Sequence, residues 1–245
     1  MNLLEVERLR KIYPAFTLQD VSFVVPEGAI VGFIGRNGAG KSTTLKSILG
    51  LVHPDGGTVR WRGEDVKDCE KSFKENIGVV LGGIDFYPKK KLNTIASVTK
   101  MFYPNWDDAK YQHYCKVFAL DGEKRVDQLS SGMKVKALIA LALSHNASLL
   151  ILDEPTRGLD PVSRDELTEL FRAIVADGTR SILFSTHITS DLEKCASHIT
   201  FIKDGAVIHS GTLDSFRSAF ADRGSTLEDI IVSVERRELD ESAII

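Results

Sequence analysis

Residues 29–49, AIVGFIGRNGAGKSTTLKSIL, decide the fold of this chain. They begin with an apolar, β-branched run at residues 30–34, which is typical of a buried strand. Residues 35–42 then fit the pattern G-x-x-x-x-G-K-S/T at every fixed position. After Lys41 the apolar residues are spaced as on one face of a helix. A strand, a glycine-rich loop and a helix in this order predict a phosphate-binding loop.

The chemistry of such a loop gives its residues separate tasks. Glycines let backbone N–H groups surround a phosphate without side-chain obstruction, and the helix directs its positive end at the same anion. We expect Lys41 to reach the β- and γ-phosphates and Ser42 to supply a hydroxyl to Mg²⁺. The sequence therefore predicts that the chain binds a nucleoside triphosphate. The predicted binding residues are Gly35, Arg36, Asn37, Gly38, Ala39, Gly40, Lys41, Ser42 and Thr43.

Composition excludes several classes of protein. The 245 residues carry a net charge of -3, which leaves no basic footprint for binding nucleic acid. Three cysteines lie far apart without a C-x-x-C pair, which favours a reduced, cytoplasmic setting over disulfides or zinc. No stretch approaches the roughly 18 uninterrupted apolar residues that span a bilayer. Any action at a membrane would therefore go through a partner.

Apolar periodicity divides the chain into two kinds of segment. Val- and Ile-rich runs typical of strands occur up to residue 84 and resume from residue 147. Between them, helical spacing appears at residues 92–101 and 107–118. This alternation predicts an α/β fold with a helical insertion at residues 85–146.

Two carboxylates follow a second buried run, the four apolar residues 149–152. Open α/β sheets bind ligands at the carboxyl ends of their strands, which is where Asp153 and Glu154 would emerge. Asp153 carries the hard oxygen ligands that Mg²⁺ prefers, and Glu154 could act as the general base for an attacking water. An Asp-Glu pair at a strand end is common in isolation. Its presence beside a phosphate-binding loop favours the functional interpretation.

Three further positions are ambiguous when taken alone. Ser130 and Gly132 open a helix, where an ordinary cap and an anion site look the same. His187 follows a strand, but a lone histidine is more often structural. Tyr13 would by its spacing be a partly buried turn aromatic.

The order of these motifs resembles the nucleotide-binding subunit of ABC transporters over residues 3–220. The phosphate-binding loop, the LSSG signature at 129–132 and the Asp-Glu-Pro at 153–155 carry most of the resemblance. The Gly-Leu-Asp at 158–160 matches the D-loop of that family, and His187 matches its switch histidine. The resemblance implies an α/β fold of the P-loop NTPase type, with a mixed β core, an antiparallel β subdomain and a helical lobe.

The resemblance also implies a domain division. Residues 1–220 would form the ATPase domain, with 1–84 and 147–220 as its core lobe and 85–146 as its helical lobe. Residues 221–245 would be a short C-terminal tail. The helical lobe would contact a separate integral membrane transporter subunit, which places the chain on the inner face of the cell membrane, in the cytoplasm.

Catalysis in such proteins uses two copies, identical or homologous, in a head-to-tail pair. The resemblance implies that ATP lies on the loop of one copy and under Ser130 and Gly132 of the other. Mg²⁺ would bind Ser42 and Asp153. Glu154 would polarise the water, His187 would contact the γ-phosphate, and Tyr13 would stack on the adenine.

Two departures from the family pattern stand out. The family places a glutamine near the position of Gly82, and none is present there; Asp85 is a candidate substitute. The signature reads LSSGM rather than LSGGQ, but Ser130 and Gly132 are retained. The pattern looks like a bacterial branch with separate ATPase and membrane polypeptides, many of which resemble exporters.

One alternative stays open at this point: a soluble ATPase of the same type in cofactor assembly or another non-transport role. The segment between Lys41 and Leu129 is too short for the long coiled coil of DNA-repair relatives, and the chain has one phosphate-binding loop, whereas translation-associated relatives have two.

Overall fold

The computed structural model describes residues 1–81 and 87–236. The strands are β1 (Asn2–Tyr13), β2 (Phe16–Pro26), β3 (Ile30–Ile34), β4 (Gly56–Trp61), β5 (Glu64–Asp65), β6 (Ile77–Val80), β7 (Leu149–Asp153), β8 (Ser181–Thr186), β9 (His198–Lys203) and β10 (Ala206–Thr212). The helices are α1 (Lys41–Ile48), α2 (Glu70–Glu75), α3 (Leu92–Lys100), α4 (Asp108–Val117), α5 (Ser131–Ser144), α6 (Pro161–Val175), α7 (Thr189–Cys195), α8 (Leu213–Ala219) and α9 (Leu227–Glu235).

Within the described residues the strands form one mixed sheet in the order β5-β4-β1-β2-β10-β9-β3-β8-β7-β6. The end that contains β5, β4, β1 and β2 is antiparallel. Strands β9, β3, β8, β7 and β6 run parallel to one another. The sheet is mixed and has an antiparallel part, and its parallel strands alternate with helices along the chain. This architecture confirms the predicted α/β fold class.

The parallel part of the sheet is covered by helices on both faces, which is why its strands are continuously apolar. All residues of β3, β7 and β8 are buried. Successive side chains of β3 point to opposite faces, so Ile30 and Val31 belong to different hydrophobic clusters. The cluster of Val31 includes Leu45 of α1, and the cluster of Ile30 includes Phe171 of α6.

Helices α3, α4 and α5 occupy the segment between β6 and β7, where the sequence predicts helical spacing. Helix α4 begins at its predicted position because the side chain of Asp107 accepts a hydrogen bond from the backbone of Lys110. Helix α5 packs on β6 so closely that a Cβ on Gly78 would lie 2.3 Å from the Cβ of Ala142. This contact ties the helical segment to the edge of the sheet.

The sequence predicts only a short tail at residues 221–245, whereas the structure has the helix α9 within this segment. Leu227 and Ile230 of this helix are buried in the cluster that also contains Leu192 of α7. Among the described residues, no helix combines the length and the apolar character needed to cross a membrane.

Candidate active site

Three neighbouring parallel strands bring the predicted site residues to one edge of the sheet. The phosphate-binding loop follows β3, Asp153 ends β7, and His187 follows β8, which lies between them. In register, Ile34 pairs with Thr186 and Asp153 pairs with Ser185. The carboxyl ends of these strands therefore meet at one place, as expected for a ligand site in a parallel sheet.

The loop after β3 depends on glycine. Gly38 and Gly40 have φ values of 86° and 113°, in the left-handed region that side chains disfavour. A Cβ on Gly35 would lie 2.3 Å from the backbone oxygen of Ile202, so only glycine fits this approach to β9. A Cβ on Gly38 would meet nothing within 4 Å, which leaves its backbone open to a ligand.

Lys41 is the buried cation of the loop. Its Nζ donates hydrogen bonds to the backbone oxygens of Gly35 at 2.6 Å and Arg36 at 3.2 Å. The same atom lies 3.4 Å from Oε1 of Glu154. An ammonium group held by loop carbonyls at the start of a helix is suited to a phosphate anion.

The loop borders a cavity of about 280 Å³. Besides loop residues, Phe16, Glu154 and Arg157 line it. The open backbone at Gly38 and the positive charge of Lys41 and Arg157 fit a triphosphate. The loop residues that line the cavity are Arg36, Asn37, Gly38, Gly40, Lys41, Ser42 and Thr43.

The carboxylate of Glu154 is held at both oxygens. Oε2 lies 2.7 Å from Nδ1 of His187, and Oε1 lies beside the Lys41 ammonium. The side chains of Glu154 and Lys41 are 12% and 5% exposed, so their contact forms largely out of water, whereas His187 is 39% exposed. Glu154 also has a φ of 51°, a left-handed backbone conformation that is uncommon for a residue other than glycine. The structure therefore brings together Lys41, Glu154 and His187, as the sequence predicts.

Ser185 contacts both Asp153 and Glu154, a role that was not predicted from the sequence. Its hydroxyl donates to Oδ1 of Asp153 at 2.5 Å and accepts from the backbone N–H of Glu154 at 2.9 Å. All of this takes place at a fully buried position of β8. The sequence signal for this role was the hydroxyl residue Ser185 itself, which lies two positions before His187. Ser185 thereby fixes the direction of both acidic side chains.

The two predicted Mg²⁺ ligands both present oxygen donors at this edge. Ser42 lines the cavity, and Asp153 is 7% exposed at the end of β7. A hydroxyl and a carboxylate are the donor types that Mg²⁺ prefers beside phosphate oxygens and water.

Ser130 and Gly132 do not line this cavity. The hydroxyl of Ser130 accepts a hydrogen bond from the Met133 backbone at 3.3 Å and so caps α5, at an exposed position. A Cβ on Gly132 would lie 3.7 Å from Ser163, in ordinary contact with α6. Hydrogen bonds from Ser163 to Asp160, which caps α6, lower the pKa of that carboxyl. The signature and the D-loop therefore lie side by side on the surface.

Tyr13 is likewise outside the cavity lining, whereas its partner in the β1–β2 pairing, Phe16, is part of it. The ring of Tyr13 is 38% exposed and lies 5.7 Å from the Lys11 ammonium. Phe16 is therefore an aromatic residue of the cavity that was not predicted from the sequence. Both rings belong to the hairpin next to the loop. The positions of Gly82 and Asp85 lie outside the described residues.

Comparisons with known proteins agree with this geometry. A family model described as ABC transporter matches residues 18–157. The ABC transporter ATP-binding protein YtrB of Bacillus subtilis (strain 168) is 30% identical over 203 residues, which cover 83% of this chain and 69% of that protein. The bacitracin transport ATP-binding protein BcrA of Bacillus licheniformis is 32% identical over 223 residues, which cover 88% and 72%.

A solved structure of an ATP-binding subunit of an ABC transporter superposes with a TM-score of 0.84 at 32% identity. The match covers 96% of this chain and 100% of that one. The resemblance noted in the sequence is thereby confirmed. The chain belongs to the ABC transporter family, as an ATP-binding subunit that serves ATP-driven transport through a separate membrane subunit.

Proposed function

We propose that the chain hydrolyses ATP between two copies of itself arranged head to tail. The observation that carries this proposal is the Glu154 carboxylate, held between Lys41 at 3.4 Å and His187 at 2.7 Å. A carboxylate fixed at the mouth of a phosphate site can accept the proton of an attacking water. Positioning and charge supply most of the catalysis in phosphoryl transfer, so a rigidly held base suits this reaction.

In this proposal the loop binds the phosphates of ATP. The N–H groups around Gly38 and Gly40 donate to the phosphate oxygens, and Lys41 turns from the loop carbonyls to the β- and γ-phosphates. Ser42 and Asp153 would hold Mg²⁺, which would neutralise charge on the phosphate oxygens. The second ring nitrogen of His187 is then available to donate to the γ-phosphate, while Nδ1 keeps its contact with Glu154.

The site is completed by the second copy. Ser130 and Gly132 lie at the N-terminal end of α5, where Ser130 is exposed, and both are outside the cavity of their own chain. The N–H groups of a first helical turn bind anions, so this end can close over the phosphates of the other copy. A two-fold axis produces two such sites at once. We assign the adenine to the hairpin of Tyr13, with Phe16 beneath it.

We also propose that the helical lobe, residues 85–146, docks on the membrane subunit, which holds the chain at the inner face of the cell membrane. Val98, Met101 and Phe102 recur at helical spacing and are 51%, 81% and 73% exposed. Val98 lies on α3, and Met101 and Phe102 directly follow it, whereas Leu92, Ile95 and Ala96 of this helix are buried. An apolar stripe of this kind suits the contact with another protein. Residues 1–84 and 147–220 would then form the core lobe that carries the nucleotide.

The direction of transport that we propose is export of a small compound. One relative is named as a bacitracin transport protein, and others as Nod factor export proteins of Burkholderia species. The chain covers 72% and 64% of these two kinds of relative.

The Glu154→Gln variant tests the catalytic role. Glutamine keeps the shape of the side chain but cannot accept the proton, so turnover should fall by roughly 10²-fold or more. Binding of MgATP, measured by calorimetry, should persist because Lys41 and the loop are unchanged. Glu169→Gln, at an exposed position of α6, is the matched control and should hydrolyse ATP normally. Near-normal turnover in Glu154→Gln would remove this residue from the mechanism.

A further inference from the structure

The turn between β9 and β10 contacts the phosphate-binding loop without lining the nucleotide cavity. It consists of Asp204 and Gly205, whose φ values of 47° and 83° are typical of a tight hairpin turn. The backbone N–H of Gly205 donates to the backbone oxygen of Ala39 at 3.0 Å. Neither turn residue is among those that line the cavity, so this contact is made to the loop itself.

This hydrogen bond fixes the direction of the next N–H group of the loop. The C=O of Ala39 and the N–H of Gly40 belong to one peptide group, which is planar and trans, so the two bonds point in opposite directions. Since the C=O of Ala39 points at the turn, the N–H of Gly40 points away from it. That N–H has no acceptor among the described residues, and Gly40 lines the cavity. It is therefore available to an anion in the cavity.

Gly205 is itself held in place by β2. Its backbone oxygen accepts a hydrogen bond from the N–H of Gln19 at 2.7 Å. A Cβ on Gly205 would lie 2.0 Å from the backbone oxygen of Thr17, so only glycine fits this approach. The same Cβ would lie 3.4 Å from the ring of Phe16, which lines the cavity. One residue thus contacts both the loop and the strand that carries the aromatic ring.

We propose that Gly205 is a positioning residue of the nucleotide site, which holds the peptide group between Ala39 and Gly40 so that its N–H faces the phosphates. A glycine-rich loop can rotate its peptide groups at little cost, so an anchor outside the loop keeps the donors preorganised. Gly205 does not touch the nucleotide and acts through Gly40. This inference rests on the proposed binding of ATP at that loop.

The turn between β4 and β5 provides a matched control. Arg62 and Gly63 have φ values of 51° and 88°, close to those of the turn at Gly205. A Cβ on Gly63 would meet nothing within 4 Å, and its N–H has no acceptor among the described residues. Alanine therefore carries a similar φ penalty at either position. Only Gly205→Ala also presses the turn against β2 and displaces it from the loop.

Amide hydrogen exchange of the wild-type chain, followed by NMR on isotope-labelled glycine, measures the anchor directly. Without nucleotide, the amide of Gly205 should exchange about tenfold or more slowly than that of Gly63, because only the former is hydrogen-bonded. Addition of MgATP should slow exchange at Gly40. Equal rates at Gly205 and Gly63 would overturn the proposal. This measurement needs no substitution, so it decides the matter even if Gly205→Ala does not fold.

Nucleotide affinity provides the functional readout. Gly205→Ala should raise the Kd for MgATP about three- to tenfold, the range expected for a residue that acts through another. At saturating ATP, kcat should stay within about twofold, since Glu154 and His187 are untouched. Gly63→Ala should leave both quantities at their wild-type values.

The outcomes separate this inference from the function on which it rests. A wild-type chain that binds no MgATP would refute the proposed function, and this inference with it. If the wild type binds MgATP, an unchanged Kd in folded Gly205→Ala would overturn the role of Gly205 alone. An equal rise of Kd in Gly63→Ala would also overturn it, because the effect would then come from backbone strain and not from the anchor.

Discussion

Ser185 sets the geometry of the acidic residues at the end of β7 with a single hydroxyl. It donates to Asp153 and accepts from the Glu154 backbone, at distances of 2.5 and 2.9 Å. Asp153, the proposed metal ligand, and Glu154, the proposed base, are thus both held by one hydroxyl group of the neighbouring strand. Such a residue touches neither the phosphate nor the water, so its influence is on orientation.

Replacing Ser185 with alanine should therefore lower the turnover of ATP by about tenfold or more, since a small misplacement of catalytic groups is costly. ATP affinity should change less, because the loop and Lys41 remain. Steady-state hydrolysis and calorimetric binding measure the two effects separately. Ser181→Ala is the control, since Ser181 is buried on the same strand and donates to the Pro26 backbone instead. Equal turnover in the two variants would contradict the orienting role.

At this scale, residues with a strong motif around them were predictable and residues without one were not. The loop, Glu154 and His187 are brought together as expected, because strand ends dictate their positions. Ser185 was missed since its role depends on the pairing of β7 with β8, which lie far apart in sequence, whereas Phe16 follows Tyr13 directly across the β1–β2 turn. No single-sequence pattern reports such pairing.

Residues at the C-terminal end of α5 contact the loop between α3 and α4 and hold it in place. His145, which follows the helix, stacks on Tyr103 with ring centroids 3.7 Å apart. The backbone N–H of Asp107 donates to Ser144 at 2.8 Å, and the side chain of Asn146 donates to Asn105 at 3.1 Å. Burial lowers the pKa of His145 to about 4, which opposes its protonation in the folded state.

This burial predicts a pH-dependent stability. Between pH 6.5 and about 4 the unfolded chain protonates His145 while the folded chain does not, so the free energy of unfolding falls as pH is lowered through this window. The contribution is fully present above pH 6.5, and its loss should amount to about 1–3 kcal/mol. Urea unfolding at several pH values measures it. His145→Gln should flatten the dependence, whereas exposed His113→Gln should leave it; equal slopes for wild type and His145→Gln would contradict the assignment.

Elements with regular apolar spacing were predicted well, and α9 was the exception. A threonine followed three residues later by an aspartate, Thr226 and Asp229, was a readable start signal. Leu227, Ile230 and Val234 then follow helical spacing. The short, highly charged end of the chain hid this pattern, although burial of Leu227 and Ile230 against the core stabilises the helix.

For the whole molecule, the proposal divides each ATP site between two copies. Lys41 and Glu154 belong to the loop side of a site, and Ser130 belongs to the side that the other copy supplies. A chain with a defect on one side can therefore be rescued by a chain with a defect on the other. Two defects on the same side cannot rescue each other.

Mixing two inactive variants tests this division. Lys41→Ala removes the phosphate-binding cation, and Ser130→Asp keeps an oxygen to cap α5 but places a negative charge against the phosphates. Each should be inactive alone, and an equal mixture should recover roughly a quarter of wild-type hydrolysis, because half of the dimers would hold one intact site. The control mixture of Lys41→Ala with Glu154→Gln should stay inactive. Full activity of Ser130→Asp alone would contradict the shared site.

The overall architecture was predictable because strands, glycine loop and acidic pair follow in an order that a parallel sheet can arrange in few ways. The division of the site between copies follows only from the resemblance. Within one chain, Ser130 and Gly132 lie outside the cavity, and no property of their local sequence identifies what they face.

The backbone of Glu154 bears on how this protein could be engineered. A φ of 51° costs a residue with a Cβ roughly 1 kcal/mol or more, a penalty that glycine avoids. The substitution that relaxes this strain also removes the base for hydrolysis. Directed evolution that selects for heat resistance would therefore favour glycine at position 154 and produce inactive proteins. Only a screen that measures turnover alongside survival of the fold would keep the glutamate.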